Sequence, residues 1–232
     1  MKIYLLYPTV RPKIARETIK YWINMTDRKS VIILLLAVDT IEQSKQLQLP
    51  CTIADKIRPG SVYKLYLLTR NLTVANDDII IGMSDDIFPP RDWDELLKIQ
   101  LKNETAVLLV NDGIHASDKE MAPLPILTGS AFNKLNRIIG HPSYHHVWSD
   151  QEFYYNAKEL NLIKDIRQTH KTIVFEHRHF SVSKRTYDEA DVARRVFAKT
   201  DYEIFKVRMK LPVMTRIKPL EYNMPSLIEG IK

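Results

Sequence analysis

The stretch Ile79-Ile80-Ile81-Gly82-Met83-Ser84-Asp85-Asp86-Ile87 decides the interpretation of this chain. Its first five residues are apolar, as in a buried strand, and two adjacent carboxylates follow them. Mg²⁺ and Mn²⁺ prefer oxygen ligands, and a metal ion that bridges a diphosphate needs only one or two of them from the protein. The stretch therefore predicts a strand with a metal ligand at its carboxyl end. The alternative is that both aspartates only end the strand and cap the turn before Pro89.

Strands and helices alternate on both sides of this stretch in the first half of the chain. Apolar runs predict strands at 2–7, 31–38, 51–57, 79–83 and 106–110. Amphipathic runs predict a helix at 14–25, a helix through residue 71 with Ser61 as its N-cap, and a helix after Pro90 through residue 100. This order favours a mostly parallel sheet with helices on both faces. Ligands bind at the carboxyl ends of such strands, so we expect Asp39, Asp85, Asp86, Asn111 and Asp112 to converge on one edge.

The second half of the chain is less regular. Residues 111–121 are polar and rich in turn formers, which is typical of a loop. The pattern then predicts helices at 130–139 and 149–160, a loop dense in aromatic and histidine residues at 141–148, and a strand at 172–176. The last segment is predicted to be mainly helical from 187 to 209.

Composition narrows the class of protein. A chain of 232 residues with 45% hydrophobic content can bury a full core as one domain with an extension. The longest apolar run, Val31–Val38, is far shorter than the ~20 residues of a membrane-spanning helix. The start has no small-residue cleavage site before Arg11, and the single Cys51 excludes an internal disulfide framework. These features favour a cytoplasmic protein, in the host cytoplasm if a phage encodes it.

The net charge of +6 favours an anionic partner. The excess lies mostly at the end of the chain, because residues 181–232 hold eleven Lys and Arg against seven Asp and Glu. Nucleic acid and a phospholipid surface are therefore candidate partners, and a solvated basic face is the commoner explanation.

Several segments, taken in order, resemble the GT-A fold glycosyltransferases, and especially their large family 2. The acidic end of the 79–87 stretch resembles that family's DxD region, which holds a metal ion and the donor diphosphate. The other matching segments are Tyr7-Pro8-Thr9-Val10-Arg11-Pro12, Ala37-Val38-Asp39, and Ile57-Arg58-Pro59-Gly60 with the helix that bears Lys64 and Asn71. Each match is weak alone, and their order over residues 1–180 carries the resemblance.

The resemblance implies a sugar transfer from a nucleotide diphosphate donor, most simply a UDP-sugar, with Mn²⁺ or Mg²⁺. It assigns the metal to Asp86, because Ser84 stands where the family's first aspartate is usual, and it leaves Asp85 for the ribose or a bridging water. The remaining donor-binding residues that it implies are Thr9, Arg11, Asp39, Arg58 and Lys64. The Gln-x-x-Arg-Trp element of processive synthases is absent, which implies a single-addition enzyme.

The segment from His145 to Glu152 resembles the acceptor-side motif whose carboxylate is the base in inverting members of the family. Asp150 is the residue that we assign to this role, since a single displacement needs a carboxylate that removes the acceptor proton. The structural alternative is that Ser149 and Glu152 form a capping box and that Asp150 favours the helix dipole. Both interpretations are compatible, because a cap would fix the helix start that aims Asp150.

Two histidines and several aromatic residues complete the predicted site. In many relatives a histidine after a late strand completes the metal site, and His177 and His179 are both candidates, with His177 preferred. The alternative is a surface His-Arg-His stretch that binds nothing. Trp148 and Tyr144 are predicted acceptor platforms, because an aromatic face packs against a sugar ring, whereas Trp93 is predicted to be core.

The prediction for the whole chain is a GT-A domain at 1–180 with a basic, mainly helical extension at 181–232 packed on it. The acceptor is a cell-surface glycan, a lipid-linked hydroxyl, or a hydroxymethylated base in phage DNA. Metal-dependent phosphoryl or nucleotidyl transfer is the rival enzyme class, and it needs a second metal site that Asp77 and Asp78 are badly placed to supply. A nucleotide-sugar binding module without turnover is the third alternative.

Overall fold

The computed structural model describes residues 1–27, 29–54, 60–115, 119–178 and 189–219. The strands are β1 (Lys2–Pro8), β2 (Val31–Val38), β3 (Thr52–Ile53), β4 (Ile79–Gly82), β5 (Ile87–Phe88), β6 (Val107–Leu109), β7 (Ile126–Thr128), β8 (Ile163–Asp165) and β9 (Glu176–His177). The helices are α1 (Pro12–Asn24), α2 (Ile41–Leu47), α3 (Ser61–Thr69), α4 (Trp93–Leu101), α5 (Gly129–Lys134), α6 (Ser149–Glu159), α7 (Glu189–Arg208) and α8 (Val213–Arg216).

The main sheet has seven strands in the order β3-β2-β1-β4-β7-β6-β8. Strands β1 to β4 are parallel, and β1 lies between β2 and β4 with Leu5 opposite both Leu34 and Ile81. Strand β7 runs antiparallel to both of its neighbours, β4 and β6. The mostly parallel sheet is confirmed, whereas β7 and β8 were not predicted, because both are three-residue runs within loop-like sequence.

Helices cover both faces of the sheet, as the alternating pattern predicts. One face packs against α1 and α4, where Trp22 and Trp93 are fully buried with their rings 5.0 Å apart. The other face packs against α3, α5 and α6, with Phe132 and Phe153 in its core. The prediction that Trp93 is a core residue is confirmed.

Two helix starts differ from the sequence prediction. Helix α3 begins at Ser61, so Ser61 does not cap it, and Gly60 with φ +126° takes that position. A Cβ on Gly60 would lie 2.1 Å from the carbonyl oxygen of His145, so this close approach requires glycine. The predicted capping box of α6 is wrong, because its N-cap is Trp148 and the cap has no side-chain hydrogen bond.

The last two helices bind α6 through buried polar contacts. The Arg208 guanidinium donates to both carboxylate oxygens of Glu152 at 2.8 Å, and Arg216 Nε donates to Asn156 at 2.7 Å. These contacts occupy Glu152, which is why it does not serve the helix start. Within the described residues, no helix is long and apolar enough to span a bilayer.

Candidate functional site

The carboxyl end of β4 delivers the two predicted aspartates to a pocket. The turn that carries them is anchored to α1, where the Trp22 indole donates to the carbonyl oxygen of Ile87 at 2.9 Å. Both carboxylate oxygens of Asp85 accept from Arg11 Nη1 at 3.2 Å, and Arg11 Nη2 also lies 3.3 Å from Asp191 of α7. Burial raises the pKa of Asp85, and the Arg11 charge opposes that rise. Asp85 is thus held by Arg11 beside the pocket.

Asp86 and His177 are brought together by a short second sheet. Strand β5 pairs antiparallel with β9, with Ile87 opposite His177, and the Arg178 amide donates to the Asp86 carbonyl at 2.7 Å. As a result His177 Nε2 lies 3.5 Å from Asp86 Oδ2, and Ser84 Oγ donates to Asp86 Oδ1. The pair that the resemblance assigns to a metal ion is therefore adjacent, whereas His179 lies outside the described residues.

A second carboxylate, Asp112, contacts His177 on the side of the ring away from Asp86. Asp112 Oδ2 lies 3.2 Å from His177 Nδ1 and 2.5 Å from His115 Nδ1. Burial alone would lower the pKa of His177, but hydrogen bonds to Asp112 and Asp86 outweigh it and raise this pKa to about 9. Burial would raise the pKa of Asp112, but its histidine contacts hold that pKa well below the usual range.

This arrangement fits a divalent cation. A carboxylate oxygen and an imidazole nitrogen converge, and a buried carboxylate on the far side of the ring orients the nitrogen, as carboxylates commonly do for metal-binding histidines. One ligand atom each from Asp112, His115 and His177 also lies within 4.8 Å of the others, among the described residues. Sequence reasoning placed Asp112 on this edge but missed its role and missed His115, which lies in a loop with no recognisable pattern.

The pocket itself has a volume of about 270 Å³, close to the lower end of ligand pockets. Its lining includes the predicted residues Thr9, Arg11, Lys64, Asp85, Asp86, Asp150 and His177. The structure thus gathers residues from β1, α3, β4, α6 and β9 around one space.

Lys64 lines this pocket and forms an ion pair with Asp39, which is not part of the lining. Lys64 is fully buried on α3, and its Nζ lies 2.6 Å from Asp39 Oδ1 at the end of β2. Burial lowers the pKa of Lys64, and Asp39 opposes this effect. Thr9 is buried, and its hydroxyl accepts from the Arg11 amide at 2.9 Å. The predicted Arg58 lies outside the described residues.

Asp150 occupies the first turn of α6 and lines the same pocket. Its Oδ1 accepts from the Gln151 amide at 3.0 Å. Burial raises the pKa of Asp150, and Arg194 of α7 acts in the opposite direction. A carboxyl group with a raised pKa in a pocket is suited to accept a proton.

The two predicted acceptor platforms lie elsewhere. Tyr144 is only 1% exposed, and its hydroxyl donates to Glu152 Oε2 at 2.7 Å, so it belongs to the core and cannot present its ring to an acceptor. Trp148 is half-buried and packs against Tyr202 and Phe205 of α7, with ring centroids 4.7 and 5.2 Å away. An exposed Trp148 platform was expected because the loop looked polar, and α7 covers it instead.

Helix α7 contributes residues that sequence reasoning missed. Asp191 and Arg194 line the pocket, and Asp201 is fully buried against the loop before α6. Their only sequence signal was the basic, helical character of the region, which does not identify single residues.

Comparisons with known proteins support the fold. No family model matches the sequence, and no curated protein does. The structure of TarS from S. aureus has a TM-score of 0.54 with 12% identity, covering 93% of this chain and 41% of TarS. TarS 1–349 with UDP-GlcNAc has a TM-score of 0.52 with 12% identity, covering 93% of this chain and 69% of that one.

A second similar structure is glucosyl-3-phosphoglycerate synthase from Mycobacterium tuberculosis, solved with Mn²⁺, UDP and phosphoglyceric acid. Its TM-score is 0.54 with 9% identity, covering 95% of this chain and 80% of the synthase. The chain spans less than half of full TarS, and at these identities the likeness concerns the fold. The mostly parallel sheet agrees with these neighbours, and the chain has the GT-A fold.

Proposed function

We propose that this protein is a glycosyltransferase that moves a sugar from a nucleoside diphosphate donor, most simply a UDP-sugar, to an acceptor hydroxyl. The observation that carries the proposal is the 3.5 Å approach of His177 Nε2 to Asp86 Oδ2 in a pocket that also contains Arg11, Lys64 and Asp150. Metal ligands, cations and a candidate base share one space. The similar structures were solved with UDP, with UDP-GlcNAc, and with UDP and Mn²⁺ or Mg²⁺.

Asp86 and His177 would hold the metal ion, with Asp112 fixing the ring of His177. Mn²⁺ or Mg²⁺ bound there would act as a Lewis acid on the leaving diphosphate. Arg11 and Lys64 supply hydrogen-bond donors at the wall of the pocket. Carboxylates already balance both of their charges, so the metal ion would be the main attraction for an anionic donor. Asp85, paired with Arg11, keeps that guanidinium in place.

Asp150 would remove the proton of the acceptor hydroxyl, and the sugar would transfer with inversion in a single displacement. The half-buried position of Asp150 keeps its proton affinity above that of an exposed carboxylate. The pocket is small, which suits a single addition. We also keep Thr9 and Asp39 on the donor side. Thr9 contacts Arg11, and Asp39 contacts Lys64.

The rival phosphoryl transfer needs a second metal ion about 4 Å from the first. Asp78 is bound at the opposite end of β4, where it accepts from the amides of Lys2 at 2.7 Å and Ala75 at 2.9 Å. Its position supports the single-metal proposal.

The first test is calorimetric titration with UDP-, GDP- and TDP-sugars, with Mn²⁺ present and then chelated. We expect a UDP-sugar to bind only with the metal ion. Absence of binding to every donor by folded protein would overturn the proposal. An NMR assignment of the product anomer then tests inversion. Donor binding without turnover in the wild-type protein, left unchanged by Asp150→Asn, would favour a binding module.

The acceptor is proposed to be a hydroxyl of a glycan, of a lipid-linked carrier or of a hydroxymethylated base in phage DNA, and the reaction is proposed to take place in the cytoplasm. DNA retention that falls steeply with salt would select the DNA acceptor, because phosphate contacts release counterions. Weak, salt-insensitive retention would select a glycan or a lipid carrier.

A further inference from the structure

The loop at 145–147 leads directly into α6, the helix that carries Asp150, and the start of α6 has no side-chain cap. The N-cap residue, Trp148, makes no side-chain cap hydrogen bond. It also has φ +68°, a conformation that costs free energy for a bulky residue and persists only where neighbouring structure enforces it. The position of Asp150 therefore depends on contacts from outside α6.

Asp201 of α7 supplies those contacts. It is fully buried, its Oδ1 accepts from the His145 amide at 3.0 Å, and its Oδ2 accepts from the amides of His146 at 2.9 Å and Val147 at 3.0 Å. His145 Nδ1 lies 2.9 Å from the same Oδ1. One carboxylate thus satisfies three consecutive backbone donors and a ring nitrogen.

Side chains near Asp201 on α7 hold the same loop from outside. The ring of His145 stacks on Phe197 with a centroid distance of 4.1 Å, and Trp148 packs against Tyr202 and Phe205. These contacts cover both ends of the loop. They account for a tryptophan in a left-handed conformation at a helix start.

The opposite side of the loop is fixed by α3. The Val62 amide donates to the His145 carbonyl at 3.3 Å, and Gly60 allows that close approach. The loop is therefore held between the element that bears Lys64 and the element that bears Asp201. Loss of the α3 contact would disturb the donor pocket. Loss of Asp201 would act on the loop that leads to Asp150 and that also places His146 at the pocket.

We propose that Asp201 is a positioning residue, which holds the 145–148 loop so that Asp150 points at the acceptor hydroxyl. The proposal rests on the function proposed above. Asp201 does not line the pocket, so it acts through the loop rather than on substrate. A mutation of Asp201, which lies 56 residues from His145 in sequence, should therefore lower turnover without lowering donor affinity.

The test uses the full chain with Asp201→Asn, which keeps the size of the side chain but replaces one acceptor oxygen by a donor. The probes are UDP-glucose and UDP-N-acetylglucosamine with Mn²⁺, measured as UDP release to water and as donor affinity by calorimetry. We expect the turnover number to fall by about tenfold to a hundredfold, because a small misplacement of a reacting group has effects of that size. Donor affinity should stay within about twofold, as expected when only transition-state contacts are lost.

Glu203→Gln is the matched control, since Glu203 lies on the same helix and pairs with the exposed Lys206. It should leave both quantities unchanged. If Asp201→Asn does not fold, Tyr202→Ala tests the same loop, because Tyr202 is 40% exposed and its loss removes one partner of Trp148. It should lower turnover by a smaller factor and leave donor affinity unchanged.

Wild-type turnover in folded Asp201→Asn would overturn the inference, and so would a parallel loss of turnover and donor affinity. Failure of the wild-type protein to bind any donor in the panel of UDP-, GDP- and TDP-sugars would instead overturn the proposed function. The acid side of the pH profile of turnover should keep its position in Asp201→Asn if Asp150 remains the base. A shifted profile would show that Asp201 acts on proton affinity and not on position.

Discussion

The two sides of the pocket that we assign to the donor and to the acceptor are built in different ways. On the donor side, functional residues follow directly from strand ends, as Asp85 and Asp86 follow β4 and Asp39 follows β2. On the acceptor side, Asp150 lies on α6, and α7 holds the start of that helix. The contacts are made by Asp201 of α7 to the preceding loop and by an α7 aromatic ring to Trp148. The first arrangement is fixed by sheet topology, whereas the second depends on packing between segments far apart in sequence. We therefore expect mutations to separate donor binding from turnover.

The largest expected effect concerns Asp150. Asp150→Asn should lower turnover by about a hundredfold to ten thousandfold, the usual contribution of a general base, while UDP-sugar affinity stays unchanged. Steady-state rates and calorimetry on the same preparation check this. Asp77→Asn, an exposed change at the far end of β4, is the control and should retain wild-type turnover. Equal losses of affinity and rate would break the distinction between the two sides.

The next effect is on stability. Glu152→Ala should reduce the free energy of unfolding by about 3–5 kcal/mol, because it leaves the buried Arg208 charge unpaired. Urea denaturation measures the change. Glu203→Gln breaks an exposed pair and should leave the unfolding midpoint nearly unchanged. Similar midpoints for both variants would show that α7 is not held to α6 by this contact.

A smaller effect is expected on the donor side. Asp112→Asn should weaken Mn²⁺ binding about tenfold to a hundredfold, since outer carboxylates orient metal-binding histidines. Calorimetric titration with Mn²⁺ in the presence of UDP is the measurement. Glu120→Gln, a change to a surface carboxylate that contacts Lys158 and Tyr155, should leave metal affinity unaltered. Unaltered affinity in Asp112→Asn would mean that Asp112 only supports the loop.

The smallest effect is a shift in pH dependence. Burial raises the pKa of Asp150, and a base works only when deprotonated, so turnover should fall with decreasing pH at a higher pH than for an exposed aspartate. A profile of turnover against pH at saturating donor shows the position of this acid limb. A limb at the ordinary aspartate pKa would argue against burial of the base in the working enzyme.

The sequence predicted the donor side better because its signals are local. A buried strand followed by Asp85 and Asp86 is visible in a short window, and its parallel neighbours determine what lies beside it. His177 could be anticipated from family order, and the β5–β9 pairing places it next to Asp86. The family resemblance therefore improved the prediction most where the sheet topology could already be predicted from the sequence.

The acceptor side was predicted less well because its decisive contacts are long-range. A capping box was expected from Ser149 and Glu152, but Arg208 is a charged partner for Glu152 and lies 56 residues away. Tyr144 was predicted to be an acceptor platform because an aromatic face packs against a sugar ring, and its hydroxyl instead joins the same buried network. Nothing in a local pattern identifies such partners.

The long separation between His145 and Asp201 also has a consequence for biosynthesis. Chains fold from the N-terminal side as they leave the ribosome, so β1 to β4 can pair before α7 exists. The metal-binding edge can then form while the loop that aims Asp150 still lacks its anchor. Under the proposed function, turnover would therefore be gained last, only after α7 has been synthesised and Asp201 holds the loop.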